Sequence, residues 1–240
     1  RGQRFIDKQV ETAVRALRGP NRTVKAKTIL GRPASVIVEE AARIGADLLI
    51  VGSHGRGPFA SALLGSVAAE VVDHASCPVL VARGTALTRA VLAEDGSPGA
   101  RTAERLMIKW PFLKKLPVRV VTVMNLLPLY NFSGTGYGGT EVIDADVMQK
   151  LLDDTRHLNE RTAAQGAKRL TTAGLAAKAE VREGNPSQQV IAAAGSTRAS
   201  LIVLGSRGNT GLARLVLGSV AHSVLLQAKC SVLITRTKGK

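Results

Sequence analysis

The sequence predicts an α/β protein built from two related units, each a parallel sheet covered by helices on both faces. The chain repeats itself: shifted by 153 positions, Gly31–Arg83 falls on Gly184–Arg236 without a gap, and 20 of the 53 pairs are identical. That is a duplication of a domain-sized unit, not a solenoid. Short apolar, β-branched runs also alternate with helical stretches, the order that specifies parallel strands joined by crossover helices. Finally, 240 residues with 45% hydrophobic and 21% charged side chains suffice for one large domain or two ordinary ones.

The elements follow in order. In the shifted register Arg1 meets Asp154, so the stretch from about Thr88 to Asp153 has no counterpart in the first unit. The expected division is a partial unit over 1–86 and a complete unit over 87–240. The first unit keeps strands near Val24–Thr28, Asp47–Val51 and Pro78–Ala82. The second opens with the apolar run Arg89–Ala93 and the turn Glu94-Asp95-Gly96-Ser97-Pro98. A helix from Pro98 to Lys109 precedes Val118–Val123, which is apolar apart from Arg119 and Thr122, as a strand buried on both faces should be. Leu126–Ile143 reads as loop, with Pro128 and four glycines. A long helix over Ala145–Ala173 is closed by Gly174. Strand Ala177–Val181, helix Ser187–Ala194, strand Ser200–Leu204, helix Ser219–Gln227 and strand Ser231–Thr235 complete the series.

Composition excludes several classes. The apolar content rules out a disordered chain or a collagen. No apolar run reaches the ~18 residues of a membrane helix, so no membrane association is expected. Two cysteines are no disulfide scaffold and fit a reducing compartment. The chain opens at Arg1 without a methionine and shows no signal-peptide pattern, so a cytoplasmic location is expected. The 33 basic and 18 acidic residues give a net charge of +15, a field that attracts polyanions. The charge is spread, +5 over residues 1–87 and +10 over 88–240, and only 3% of residues are aromatic. A nucleic-acid reader concentrates such charge on a basic helix or interleaves it with stacking aromatics. Nucleic acid is therefore not the expected partner.

One motif carries chemistry. Gly-x2-Gly-x9-Gly-Ser occurs as Gly52, Gly55, Gly65, Ser66 and again as Gly205, Gly208, Gly218, Ser219. Each copy begins where a buried strand ends and finishes where a helix begins, the place at which open α/β sheets bind ligands. Glycines there let backbone N–H groups approach an anion with no Cβ in the way. The helix that follows offers unpaired N–H groups and the positive end of its dipole. A ligand carrying phosphate fits that description. Glycines after a strand also serve simply to turn the chain, and Ser219 equally fits a plain N-cap.

Other polar residues form no constellation. His54, His74, His157 and His222 are dispersed without metal-ligand spacing. Ser53 and Ser206 have no His/Asp partners at recognisable spacing. Cys77 and Cys230 precede equivalent last strands and read as small core residues. Asp153-Asp154 and Glu39-Glu40 read as solvated helix faces.

The chain resembles the universal stress protein family in its tandem form. The resemblance is carried by Arg89–Ala93 with Asp95-Gly96-Ser97, by "IVGSHGRG" and "IVLGSRGN", by "LLGSVA" and "LVLGSVA", and by "CPVLVAR" and "CSVLITR". It implies two Rossmann-like (adenine nucleotide alpha hydrolase-like) parallel five-stranded sheets of order 3-2-1-4-5, the first lacking its first two strands, in a commonly dimeric protein. The glycine motif is the mark of the family's ATP-binding branch, which implies ATP as ligand, with any Mg held through its phosphates. Matched position by position, Asp95 meets the adenine and ribose end, with the small Ala93 beside it. The backbone at Val123 reads the adenine edge. Gly205, Gly208, Gly218 and Ser219 cradle the phosphates, with Val220 behind them. Arg207 sits inside the cradle, either adding charge to the β and γ phosphates or standing in solvent as a loop side chain. In the first unit Gly52, Gly55, Gly65 and Ser66 form a cradle with no aspartate and no second strand, an incomplete second site.

The function so implied is ATP binding by a stress-response protein in which occupancy is a signal. Fast hydrolysis is not expected, because no positioned base or metal site accompanies the cradle. The alternative is a basic interaction protein that uses the fold as architecture for a protein or nucleic-acid partner. The family's habit of pairing domains through their last strands places Pro78–Ala82 against Ser231–Thr235. The uncovered face of the first unit would recruit another chain, giving a homo-oligomer.

Overall fold

The computed structural model describes residues 2–53, 64–126, 144–208 and 217–236. Their strands are β1 (Leu49–Gly52), β2 (Val79–Ala82), β3 (Ala90–Ala93), β4 (Val118–Met124), β5 (Ala177–Glu183), β6 (Leu201–Gly205) and β7 (Ser231–Thr235). The helices are α1 (Gly2–Leu17), α2 (Pro33–Arg43), α3 (Ser66–His74), α4 (Pro98–Lys109), α5 (Pro111–Lys114), α6 (Ala145–Thr172), α7 (Pro186–Ser196) and α8 (Ser219–Gln227). All seven strands lie in one sheet ordered β1-β2-β7-β6-β3-β4-β5. Counted within the second unit alone, its five strands run 3-2-1-4-5. They are parallel throughout, and β1 is parallel to β2.

The two units are thus joined into a single sheet. β2 meets β7 antiparallel, with Val79 opposite Ile234, Leu80 opposite Leu233 and Val81 opposite Val232. The 153-residue repeat makes this seam a local pseudo-dyad centred on Leu80 and Leu233, and the side-chain contacts obey it. Arg83 donates through Nη2 to the Leu225 carbonyl at the end of α8, 2.5 Å away. Arg236, its repeat partner, donates through Nη2 to the Val72 and Asp73 carbonyls at the end of α3. Each guanidinium so satisfies carbonyls that the last helical turn of the other unit leaves unpaired.

Side chains alternate between two cores because the strands are covered on both faces. On one face Val91, Val121, Ile202, Val232 and Ile234 pack under α2, α3, α7 and α8. On the other, Leu92, Val120, Val203 and Leu233 pack under α4, α5 and α6.

The segment Val24–Thr28, read from sequence as a strand, is not one: it carries no strand pairing. Among the described residues its repeat counterpart Ala177–Val181 is paired through β4 alone, and no described strand stands in that relation to Val24–Thr28. A strand needs a neighbour for its ladder, whatever its propensity. Among the described strands β1 lies at the sheet edge. Ile50 is 61% exposed whereas its counterpart Val203 is fully buried, and Leu17 on α1 is 57% exposed whereas Leu170 on α6 is fully buried. Backbone hydrogen exchange is accordingly expected to be faster in β1 than in β6, since edge amides open without breaking the sheet. Equal protection of the two strands in a monomer would contradict that reading.

Candidate functional site

The first strand of the second unit leads to α4 on one face of the sheet, and β6 leads to α8 on the other face. The strand ends therefore splay at the β3/β6 boundary, the switch point where open α/β sheets leave a crevice. A cavity of about 360 Å³ occupies it, within the range of small-molecule sites. Ala93, Asp95, Val123, Gly205, Arg207, Gly208, Gly218, Ser219 and Val220, all expected from the sequence, line this one cavity.

Its base is apolar, formed by Val121, Val123, Pro186, Val190 and Leu204. One rim carries Asp95, held by the turn that follows β3. Gly96 has φ +76°, a left-handed position that suits glycine. Its N–H donates to Glu94 Oε1 at 2.8 Å, and the Ser97 N–H donates to Asp95 Oδ1 at 3.0 Å. Ser97 then caps α4, its hydroxyl oxygen accepting from the Ala100 N–H. These bonds restrain the turn that carries the Asp95 carboxylate.

The opposite rim is built from the glycine motif. The N-cap of α8 is Gly218, extended at φ −63°, and no side-chain cap serves it. Ser219 is the first helical residue, which settles the question of its role as a cap. The helices α4 and α7, which also begin beside the cavity, are capped by Ser97 and Asn185. Among the described residues no side chain caps the N–H groups that open α8 at the cavity wall. Arg207 adds a buried Nε with no hydrogen-bond partner among the described residues.

The glycines differ in purpose. A Cβ on Gly208 would stand 2.5 Å from Asp95 Oδ2, so this glycine keeps clear the space the carboxylate fills. A Cβ on Gly218 would lie 3.3 Å from the Ser206 carbonyl and 3.4 Å from Arg207 Cα, tight against the motif's own backbone. Gly205, which also lines the cavity, has a packing role that the sequence did not show. Its Cβ would meet Gly99 C at 2.6 Å and Gly99 Cα at 2.8 Å, so it lets the start of α4 pack directly on β6.

Gly99 itself escaped the sequence reading, although the small pair Gly99-Ala100 behind Pro98 was its signal. Asn125, Pro186 and Val190 also line the cavity without having been singled out. Pro186 was legible in principle, because the repeat pairs it with Pro33.

In the first unit Gly65 caps α3 at φ −62° and ψ 144°, close to the conformation of Gly218. Its N–H bonds the Ser53 carbonyl at 2.7 Å, as Gly218 bonds Ser206 at 2.8 Å. Gly52 ends β1 and Ser66 opens α3 in the same arrangement, while Gly55 lies outside the described residues. Among the described residues no strand lies on the open side of β1 to bring an acid to this half-cradle.

Cys77 and Cys230 sit against the core, and burial pushes both thiols up from their ordinary value. Among the described residues no cluster of His, Cys, Asp and Glu is placed to hold a metal ion. No described helix is long and apolar enough to cross a membrane.

With this geometry in hand, comparison with known proteins is informative. A family model described as the universal stress protein family matches residues 3–83 and 87–236. The universal stress protein Rv2005c of Mycobacterium tuberculosis is 24% identical over 243 residues, spanning 98% of this chain and 77% of that protein. Among solved structures, a universal stress protein from Archaeoglobus fulgidus superposes with a TM-score of 0.64 at 19% identity, covering 99% of this chain and 78% of its own. The functionally unknown protein PA1789 from Pseudomonas aeruginosa gives 0.66 at 17% identity, covering 97% and 78%. These two likenesses bear on the fold.

Proposed function

The chain belongs to the universal stress protein family, and from that premise we propose that its second unit binds ATP, with occupancy acting as a signal. One observation carries the proposal. An apolar cavity is flanked on one side by the Asp95 carboxylate and on the other by the start of α8 and Arg207 Nε, neither with a side-chain partner among the described residues. An adenine ring fits between Val123 and Val190, ribose hydroxyls donate to Asp95, and phosphates accept from the α8 N–H groups and from Arg207. No described residue is placed as a base or metal ligand at the phosphate end, so slow hydrolysis at most is proposed.

A route for the signal lies at the phosphate end. Burial lowers the Arg236 guanidinium from its ordinary value; the Asp73 carboxylate offsets part of this, and the nearby positive charge of Arg207 adds a smaller lowering. Phosphate beside Arg207 would relieve that repulsion where Arg236 clasps α3 of the other unit.

The test is equilibrium binding of ATP set beside a salt titration with duplex DNA. ATP is expected to bind at physiological salt, while DNA binds weakly and is lost by roughly 200 mM salt, as a diffuse basic surface dictates. Tight DNA binding that survives this salt, with no ATP binding, would favour the interaction-protein alternative.

A further inference from the structure

Beneath the Asp95 turn, on the face covered by α4 and α6, lies an acidic pair that nucleotide binding does not use. The Glu94 side chain has no exposed area and that of Glu104, from α4, only 4%. Arg169 from α6 spends its fork on Glu104, with Nε to Oε2 at 2.8 Å and Nη2 to Oε1 at 2.5 Å. It comes no closer than 3.9 Å to Glu94 Oε2.

Glu94 Oε1 accepts the Gly96 N–H, and Glu94 Oε2 has no hydrogen-bond partner if both acids are ionised. From β4 the facing side is Val120, then Thr122, whose buried Oγ1 is likewise unpartnered among the described residues. The helix α6 passes with a glycine: a Cβ on Gly166 would stand 3.1 Å from Glu104 Oε1 and 3.3 Å from Glu94 Cγ.

Two buried carboxylates against one guanidinium leave a net negative charge in the interior, a costly arrangement. One proton removes it and supplies the missing donor. We propose that Glu94 and Glu104 share a single proton at neutral pH, and that this proton-sharing pair holds the turn that positions Asp95 for nucleotide. Glu94 is then a positioning residue: its Oε2–H donates to the Glu104 carboxylate while its Oε1 accepts from Gly96. Burial first, and then the Glu104 carboxylate, push the Glu94 carboxyl up to about 8. Loss of the proton sets two like charges against each other beneath the turn, so nucleotide affinity falls as pH rises through that value. The second half of the proposal rests on the nucleotide assignment, and the first half does not.

Two measurements on the full chain separate them. Without nucleotide, carbon-13 spectra of glutamate-labelled protein should show one carboxyl titrating near 8, absent in Glu94→Gln. If every glutamate titrates below about 6, near its ordinary range, the shared proton is refuted. With ATP, the wild-type dissociation constant should stay level from pH 7.5 to about 8. Above that it should climb by as much as tenfold per pH unit, while the Glu94→Gln curve stays flat over the same range. The nucleotide phosphates no longer titrate there. The same climb in both proteins overturns the positioning role. A carboxyl titrating near 8 with no ATP binding at any pH upholds the shared proton and refutes the nucleotide assignment instead.

Discussion

Gly205→Val is expected to lower stability by about 3 kcal/mol or more, at the upper end of what overpacking costs. The added side chain would start 2.6 Å from Gly99 C, 2.8 Å from Gly99 Cα and 3.0 Å from the Arg207 carbonyl, all of them backbone atoms. Neither side can retreat. Gly205 is paired with Thr235 in β7, and the first turn of α4 is pinned by the Ser97 cap. Gly99→Val should be at least as damaging, since its Cβ points at the Arg207 carbonyl. Gly195→Ala is the control: nothing lies within 4 Å of its Cβ, it sits on α7, and it should be neutral or stabilising by up to about 1 kcal/mol. Denaturant midpoints at constant slope measure all three. A Gly205→Val protein within about 1 kcal/mol of wild type would mean that the α4–β6 contact yields easily.

Gly208→Ala should behave in the opposite way, sparing the fold and weakening ATP. Its Cβ would meet only the tip of a side chain, Asp95 Oδ2 at 2.5 Å, and a carboxylate can swing aside. Swinging aside removes it from the ribose. A hydrogen bond involving a charged group is worth about 1.5–3 kcal/mol, so affinity should fall roughly tenfold to a hundredfold. Gly218→Ala, with its nearest contact at 3.3 Å, should lose less. Titrations of both variants beside their unfolding curves would check this. Wild-type affinity in Gly208→Ala would take Asp95 out of the binding contacts.

Much of the fold was legible because burial on both faces leaves a plain signal. The runs Leu201–Gly205 and Ser231–Thr235 are apolar through their middle positions and buried at nearly every one, and the repeat repeats the pattern. Val24–Thr28 misled because its residues suit a strand, whereas pairing depends on a neighbour that no described strand supplies. At the site, residues within one motif were readable by spacing. Contacts between segments were not: Gly99 and Gly205 touch across 106 positions, and neither carries chemistry of its own. Glu94, Glu104 and Arg169 are each ordinary charges in sequence. Only the packing of α4 and α6 on the sheet brings them together.

Calorimetric titration of ATP into the full chain bears most directly on where the nucleotide sits. For these 240 residues one ATP is expected, because among the described residues none stands beside Gly52, Gly65 and Ser66 as Asp95 stands beside the second cradle. Asp95→Ala should weaken binding roughly tenfold to a hundredfold, as Gly208→Ala does, while leaving the unfolding midpoint near wild type. Two equal sites per chain would contradict this by giving the first unit's half-cradle a nucleotide of its own, and undiminished binding in Asp95→Ala would contradict it by removing the nucleotide from the β3/β6 cleft.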